Sequence, residues 1–472
     1  MKQEDLFEAI GEIDPAQVRG AGQAKRRFAW QRAAALAACL VLIAAAVVIP
    51  LLQSRGGQPL SGVITLRAGC PASVASGMSA AEFIEGDGHY RWWQDRVETI
   101  KAARAKQPEL ADYYTSVLPN TLGTAEGNAV ISPLNTYLAF SMLAESAGGE
   151  TRRQLLDLLG AEDLTALRKT ASTLWQANYV DTPLVKSLLA NAVWLRGDGR
   201  YDESVLQTLA NTYYASSFRG EPGSAEMDRA LRDWTDENTG GLLKEYAETL
   251  HLERRTAMAL TSAIWFKAMW AEPFQARSTT SAVFHGASRN SDVQMMRKDE
   301  TMRFYQDDAF TAVSLSMTDS GSMTFFLPAE GTDPSALLSL PQLMEVAQFS
   351  TEEGWHSGMV HLGVPRFSVS GQTDLLDCLR ALGVTDALDP ALADFTPLVS
   401  TEEPLYLGAA NHAALVEVDE EGVTGAAYTD LMGEAGEPLS QDELDFILDR
   451  PFVFLLTGQD GSILFAGIVR DL

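Results

Sequence analysis

The sequence predicts an α+β fold that is preceded by a single transmembrane helix. Apolar runs typical of buried strands are mixed with helical segments, and the two do not alternate as regular β-α-β units. A long uncharged run precedes them near the N-terminus. The chain has 472 residues, of which 46% are hydrophobic and 21% charged, so its composition is that of a globular protein rather than a disordered one.

The charge and the cysteine content exclude several classes of function. The 63 acidic residues outnumber the 36 basic ones, and the net charge of −27 argues against a nucleic-acid partner. Cys39, Cys70 and Cys378 allow at most one disulfide, and the six histidines show no ligand spacing among themselves or with the cysteines. We therefore predict no metal site and no cofactor.

Residues 33–52 form an uncharged apolar run. As a helix this run would span about 30 Å, the thickness of the hydrocarbon core of a bilayer. Five basic residues shortly precede it and few follow it, so the positive-inside rule places residues 1–32 in the cytoplasm. The sequence thus predicts a single-pass type II protein of the cell membrane, with its large domain outside the cell.

Two other interpretations of this segment stay open. A signal peptide would be cleaved, although 32 mostly polar residues before the run are unusual for one. The tetrapeptide Leu36–Cys39 is similar to a bacterial lipobox, although thirteen more uncharged residues follow the cysteine. The sequence does not decide whether the segment is retained, cleaved or lipidated, nor what the cytoplasmic head does.

The rest of the chain divides at about residue 108. Residues 53–107 are interpreted as a juxtamembrane linker, rich in Gly, Ser and Ala, followed by a helix from Tyr90. Residues 108–472 carry the mixed elements of the large domain. The predicted helices begin at Ser132-Pro133 and Thr151, and the predicted strands are Leu188–Leu195, Ala257–Phe266, Met323–Leu327, His361–Ser370 and the C-terminal hairpin Phe452–Val469.

No sequence motif indicates catalysis. The chain lacks H-E-x-x-H, G-x-S-x-G, the phosphate-binding loop and the dinucleotide fingerprint. A Ser/His/Asp triad assembled only in space stays open, but nothing in the sequence favours one. We therefore predict that the protein is not an enzyme.

Several segments resemble, in the same order, those of the serpin family of serine protease inhibitors. N-A-V-I-S-P-L-N is similar to the family motif that opens its second helix, and F-K-A-M-W-A-E-P-F is similar to F-K-G-x-W-x-x-P-F. The resemblance implies large mixed sheets with helices and an exposed reactive-centre loop, and we expect a monomer. The predicted membrane anchor and the lack of a disulfide framework favour a membrane-anchored member of bacterial type. The segments are Asn128–Asn135, Ala190–Leu195, Phe266–Phe274, Val293–Met296, Pro365–Phe367, Ala413–Gly422 and Arg450–Val469.

The resemblance also implies a shutter beneath the opening of the main sheet, formed here by Ser132, Ser262 and His412. Two positions depart from the family pattern. Ala268 replaces a glycine, and Ser262 stands where the family has an asparagine that pairs with the residue equivalent to His412. We therefore expect altered control of sheet opening.

The resemblance implies a reactive-loop hinge over Gly422, Val423, Thr424, Gly425, Ala426, Ala427, Tyr428 and Thr429. Inserted as a strand, the loop would send alternate side chains to opposite faces of the sheet. The inward set is uncharged and mostly small: Val423, Gly425, Ala427, Thr429, Leu431, Gly433 and Ala435. The outward set holds both charges: Thr424, Ala426, Tyr428, Asp430, Met432, Glu434 and Gly436. A slip by one residue would bury two unpaired carboxylates, so the pattern permits one register.

The position of the cleaved bond depends on how the loop is counted. Counting forward from Gly422 places the residue before the bond at Gly436, whereas counting back from Pro451 places it near Ser440. The forward count is preferred, because the inserted segment must match the length of the sheet while the far side of the loop can vary. The predicted scissile-bond window is therefore Glu434, Ala435, Gly436 and Glu437.

The resemblance implies a serine protease as the partner, the predicted topology places it outside the cell, and the composition of the window narrows its type. Residues 434–439 contain no Arg or Lys, which argues against trypsin-like enzymes. Small residues suit elastase-like or subtilisin-like proteases, and the two glutamates suit a glutamyl protease. The sequence does not identify the target or the rate of inhibition.

Two other functions stay open. One is a non-inhibitory binding module with the serpin fold. The other is a membrane-tethered sensor that reports extracellular proteolysis through the cytoplasmic head.

Overall fold

The computed structural model describes residues 63–400, 405–423 and 442–472. The predicted cytoplasmic head and transmembrane helix lie outside these residues, as do residues 424–441 of the predicted loop. Within the three described ranges, no helix is both long and apolar enough to cross a bilayer.

The helices of the described residues are mostly short. Three of them, α1, α2 and α3, precede the first element that the sequence motifs mark. The α-helices are α1 (Ala80–Glu85), α2 (Asp87–Arg104), α3 (Gln107–Thr121), α4 (Pro133–Ser146), α5 (Gly149–Leu158), α6 (Leu164–Asn178), α7 (Glu203–Thr212), α8 (Ala225–Asn238), α9 (Lys244–Thr249), α10 (Pro341–Ala347) and α11 (Leu375–Ala381).

The strands range from two-residue pairings to a strand of 17 residues. They are β1 (Ile64–Leu66), β2 (Ala129–Ile131), β3 (Val180–Asp181), β4 (Lys186–Arg196), β5 (Arg200–Tyr201), β6 (Ala215–Gly220), β7 (Met258–Met269), β8 (Thr280–His285), β9 (Asn290–Gln306), β10 (Phe310–Ser316), β11 (Ser322–Pro328), β12 (Trp355–Pro365), β13 (Phe367–Asp374), β14 (Val399–Ser400), β15 (Leu407–Val418), β16 (Gly422–Val423), β17 (Glu443–Ile447), β18 (Phe452–Thr457) and β19 (Ile463–Val469).

These strands form two large mixed sheets. Sheet A has the order β1-β6-β4-β7-β16-β15-β13, with β3 paired to β4. Sheet B has the order β17-β12-β9-β10-β11-β18-β19-β2, with β8 paired to β9. Strands β7 and β15 run parallel to each other, whereas β16 is antiparallel to both. The α+β class with large mixed sheets is thereby confirmed.

Helix α4 lies between the two sheets and is buried along its whole length. It packs against β4 and β7 of sheet A and against β19 of sheet B. Ser132 caps its N-terminus by accepting a hydrogen bond from the Asn135 amide, and Pro133 occupies the first helical position, where no amide proton is needed. Helix α8 also contacts β7. Because helices pack against β7 in this way, the strand is apolar almost throughout and its residues do not alternate between buried and exposed.

The C-terminal hairpin is confirmed as β18 and β19, both fully buried. The single strand predicted over His361–Ser370 is wrong, because the chain changes sheets at Arg366. Strand β12 belongs to sheet B and β13 to sheet A. Pro365 has no amide proton for a ladder, and the Arg366 amide donates instead to the carbonyl of Gln294 at 2.8 Å.

Part of the segment predicted as a linker is regular structure. Strand β1 pairs with the outer edge of β6, and helix α1 buries Phe83. Both elements are short and lie among polar and small residues, so the Gly-, Ser- and Ala-rich composition of the segment did not indicate them.

Candidate functional site: the hinge and the shutter of sheet A

Strand β16 places the first two residues of the predicted hinge inside sheet A. Gly422 pairs with Met269 and Val423 with Ala268 on β7, while Val423 also pairs with Val418 on β15. Both hinge residues are buried. The other hinge residues, from Thr424 to Thr429, and the window from Glu434 to Glu437 lie outside the described residues.

A tight turn brings the chain from β15 into β16. The Asp419 carboxylate accepts hydrogen bonds from the amides of Glu421 and Gly422, at 2.9 and 3.1 Å. Trp270 holds the turn from the side of β7: its indole N–H donates to the Asp419 carbonyl at 2.9 Å, and its amide donates to the Glu421 carbonyl at 3.0 Å. The start of the loop is thus fixed by the Asp419 carboxylate within the turn and by Trp270 beside it.

Gly422 is required by close packing rather than by its backbone angles. A Cβ atom added there would lie 2.2 Å from the carbonyl oxygen of Ala268 and 2.8 Å from the Cα of Met269. Because these are backbone atoms, they cannot move aside as a flexible side chain would. A residue with a side chain would therefore push the hinge out of the sheet.

Glu420, in the same turn, is tied to strands outside it. Its carboxylate pairs with the Arg366 guanidinium at 2.5 Å and accepts a hydrogen bond from the Thr279 hydroxyl at 2.5 Å. Burial alone would raise the pKa of Glu420, but these two groups outweigh it, and the pKa lies below its ordinary value. The turn therefore carries a charged carboxylate at neutral pH.

Below the hinge, β7 and β15 are separated. Their direct ladder runs from Met258 and Leu407 to Ser262 and His412, and it ends there. A small recess, with room for about one water molecule, lies where the ladder ends. Ser262, Ala263, Asn411 and Ala413 are among its lining residues. Strands β7 and β15 thus pair directly at one end of sheet A and are bridged by β16 at the other end. Between these two ends they are not paired.

The structure brings the three predicted shutter residues together at the end of this ladder. The Ser132 amide donates to Nε2 of His412 at 2.9 Å, and Ser262 is the register partner of His412. The hydroxyl of Ser262 donates to the carbonyl of Asn135 at 3.3 Å rather than to the histidine. All four residues are buried. Helix α4 therefore bridges both strands at the point where they begin to separate.

His412 is fully buried and neutral. Because Nε2 accepts from Ser132, Nδ1 carries the proton, and it has no hydrogen-bond partner among the described protein groups. Burial lowers the pKa of His412 to about 4. The resemblance implies an asparagine at position 262 as the partner of this histidine, whereas the hydroxyl of Ser262 donates to Asn135 and leaves Nδ1 without an acceptor.

Two further residues of the site were missed by the sequence reasoning. Asn135 donates through Nδ2 to the carbonyl of Ala263 at 2.7 Å, so it ties α4 to β7. Asn191 on β4 is the register partner of Ser262, is buried, and has no protein partner for either atom of its amide group. Two signals in the sequence could have found them. Asn191 interrupts the apolar pattern of a buried strand, and Asn135 follows the capping serine of α4 by three residues.

The comparisons with known proteins agree with this geometry. The family model described as "Serpin (serine protease inhibitor)" matches residues 111–472. The chain belongs to the serpin family. A "Serine protease inhibitor" of Cyanea capillata is 27% identical to it over 391 residues, which cover 79% of this chain and 98% of that serpin. This relative gives no support to the expectation of a bacterial source, which stays a prediction.

Solved structures show the same serpin fold. The native state of the thermophilic serpin tengpin has a TM-score of 0.69 and 22% identity, covering 77% of this chain and 93% of tengpin. Human thyroxine-binding globulin has a TM-score of 0.67 and 22% identity, covering 79% of this chain and 99% of the globulin. At such identities the likeness establishes the fold and not the function.

Restoring the missing asparagine should stabilise this serpin. In Ser262→Asn the amide oxygen would accept from Nδ1 of His412, and we expect a gain of about 1 kcal/mol in unfolding free energy and slower loop insertion. Thermal unfolding of the intact protein measures the gain. Ser262→Ala is the control, because it removes the hydroxyl without supplying an acceptor. An asparagine variant no more stable than the alanine variant would contradict the assignment.

The buried histidine should make stability depend on pH. The pKa of His412 is depressed in the fold, so the stabilisation is fully present above about pH 6.5 and is lost as the pH falls toward 4. The loss at full protonation is about 3 kcal/mol. Thermal unfolding from pH 4 to 7 should show a flatter profile for His412→Gln than for the wild type. The exposed His356→Gln serves as the control, and an unchanged slope in His412→Gln would refute the role of the histidine.

Proposed function

We propose that this serpin inhibits an extracellular serine protease and is consumed in doing so. The protease would cleave the reactive loop, remain bound to it as an acyl-enzyme, and be distorted when the loop inserts into sheet A. Loop insertion by strand addition is a known behaviour of the family, and the family match covers the whole of the domain concerned. The protein would act once and would not be an enzyme.

The observation that carries the proposal is the position of β16. Its two residues already pair with β7 on one side and β15 on the other, as the first residues of an inserted strand would. Val423 is 1% exposed. It is six rows from Ser262 along the same face of sheet A, the face covered by α4. The hinge therefore enters with an apolar side chain on the core side.

The register of β16 says how far the loop can advance before the shutter must open. In the antiparallel pairing, Val423 lies opposite Ala268, and each further loop residue would lie opposite the preceding residue of β7. Thr429 would thus reach the row of Ser262. Residues 424–428 would fill the open stretch between β7 and β15. From Thr429 onward, insertion requires breaking the ladder at Ser262 and His412.

The covalent step follows the ordinary chemistry of serine proteases. The serine hydroxyl oxygen of the protease attacks the carbonyl carbon of Gly436, and the bond from that carbon to the nitrogen of Glu437 breaks. The amine of Glu437 leaves with the proton that the hydroxyl gave up. The ester formed between the protease and Gly436 would then travel with the inserting loop.

The composition of the scissile-bond window supports a target protease that accepts small or acidic residues. Ala435 and Gly436 suit elastase-like and subtilisin-like pockets, and Glu434 or Glu437 suits a glutamyl protease. A membrane anchor at residues 33–52 would hold the inhibitor at the cell surface, because the run is uncharged and basic residues precede it.

Trapping is tested by mixing the 472-residue chain with elastase-, subtilisin-, glutamyl- and trypsin-type enzymes. We expect a complex that survives denaturation, at the summed mass, with at least one of the first three. The peptide released from the loop locates the cleaved bond by mass. If all the enzymes cleave the loop and none forms a complex, the result would favour a non-inhibitory module with the serpin fold, a fold that thyroxine-binding globulin also has.

A charge at the buried start of the hinge should convert the inhibitor into a substrate. Val423 is already buried in β16, so Val423→Glu would place an unpaired carboxylate there, at a cost of several kcal/mol, and would drive the start of the hinge out of sheet A, where insertion must begin. The variant should be cleaved by the same protease without forming the complex, and cleavage should not raise its unfolding temperature. Val283→Glu is the control, since Val283 is 44% exposed on β8. Trapping by Val423→Glu at wild-type stoichiometry would rule out insertion in this register.

The membrane anchor is tested separately by extraction. The full chain should stay in the membrane pellet after washing with alkaline carbonate, and protease added outside intact cells should remove the large domain. A chain lacking residues 33–52 should be released from the pellet. Recovery of the full chain in the wash would refute the anchor without affecting the inhibitor proposal.

A further inference from the structure

Residues 63–89, which we name the N-terminal strap, are attached to sheet A at its outer edge. Strand β1 pairs with β6, and the Arg219 amide donates to the carbonyl of Val63 at 2.7 Å. The Ala68 amide donates to the hydroxyl of Ser216 at 3.2 Å. The strap is thus joined to the half of sheet A that contains β6, β4 and β7.

The strap then reaches the end of sheet A where the hinge enters. The Val74 amide donates to the carbonyl of Asp181 at 2.8 Å, and the Ser73 hydroxyl donates to its carboxylate at 3.0 Å. Asp181 pairs with Lys186, the register partner of Lys267 on β7. Lys267 directly precedes the residue that pairs with Val423. This attachment therefore lies at the height of the hinge.

The last part of the strap ends in a side-chain hydrogen bond to the turn between β10 and β11 of sheet B. Nε2 of His89 lies 2.6 Å from Oδ2 of Asp319. The histidine ring contacts the buried Phe83 edge-on at 5.3 Å and stacks on Trp92 at 6.0 Å, both measured between ring centroids. The two side chains of the pair are 27% and 16% exposed, so solvent screens them less than it screens a surface pair. Packing on both aromatic residues holds the imidazole toward the carboxylate.

Asp319 lies in the turn between β10 and β11, and this turn is bound to the end of β7. The Thr318 amide donates to the carbonyl of Met269 at 2.9 Å, and Met317 forms a bridge with Trp270. Met269 is the residue that pairs with Gly422. One hydrogen bond between side chains and one between backbone groups therefore connect the strap to the row in which the hinge begins.

We propose that His89 and Asp319 are positioning residues for the hinge. The pair holds the turn at residues 317–321 against Met269, and the turn holds the end of β7 against β16. Loop insertion requires β7 to move away from β15, so the pair raises the barrier to insertion. The strap thereby keeps the loop from inserting before a protease has cleaved it. This inference rests on the proposed function, since it concerns the same insertion step.

The test measures sheet opening without a protease. A fluorescent peptide with the sequence of residues 423–436 is mixed with the 472-residue chain, and its uptake reports separation of β7 from β15. His89→Ala and Asp319→Asn should each speed uptake about five-fold, the effect of one partly buried charged contact. The double variant should be no faster than either single one, because both remove the same interaction. Asparagine suits the test, since Asp319 has a φ of 52° and asparagine tolerates that region.

A second histidine–aspartate pair provides the matched control. Nδ1 of His361 lies 2.8 Å from Oδ1 of Asp299, where β12 and β9 pair in sheet B. That pair is of the same chemical type but makes no contact with β7 in the described residues. His361→Ala should take up the peptide at the wild-type rate and unfold at nearly the wild-type temperature.

The outcomes separate this inference from the proposed function. Unchanged uptake in His89→Ala and Asp319→Asn, an equal acceleration in His361→Ala, or additive effects in the double variant would each overturn the positioning role. Faster uptake in the two variants, with no trapped complex for any protease, would support the role and refute the inhibitor. If neither the wild-type chain nor any variant takes up the peptide, the positioning role and the proposed insertion are both overturned.

Discussion

The ladder between β7 and β15 is the constraint on which the rest of this serpin depends. It stops at Ser262 and His412, so the sheet is closed below that row and open above it. Helix α4 sits against the last closed row and binds both strands through Ser132 and Asn135. Any strand that enters from the hinge must first fill the open stretch and then break this row. Proposed insertion up to this row would break no pairing between β7 and β15, whereas insertion beyond it would have to break their ladder.

The closed row is held by a polar cluster that is only partly satisfied. Nδ1 of His412 and the amide of Asn191 are buried without protein partners, and burial of such groups costs free energy. A fully paired cluster would hold β7 and β15 together more firmly. The cluster around Ser262 thus leaves buried polar groups unpaired, whereas the contacts of Trp270 and Glu420 hold the turn between β15 and β16.

Local patterns were enough to predict the elements whose signal is contained in a few residues. Pro133 after a capping serine marked α4, and two apolar runs around a glycine turn marked the hairpin of β18 and β19. The break at Arg366 was missed because the alternation of side chains continues across it while the chain changes sheets. The shutter positions came from the family resemblance. The contacts of Asn135 and the pair of His89 with Asp319 join residues more than 100 positions apart, and no local pattern encodes them.

The strand that the strap adds to sheet A also changes what the sheet presents to other molecules. An exposed edge strand carries unpaired amide and carbonyl groups on which another chain can add a strand of its own. Here β6 would be such an edge, and β1 pairs with it from within the same chain. The partner is only three residues long, but it is tethered and therefore present at high local concentration. The proposed loop insertion would require sheet A to admit one extra strand beside β7, and the pairing of β1 covers part of a different edge, on which a foreign strand could add.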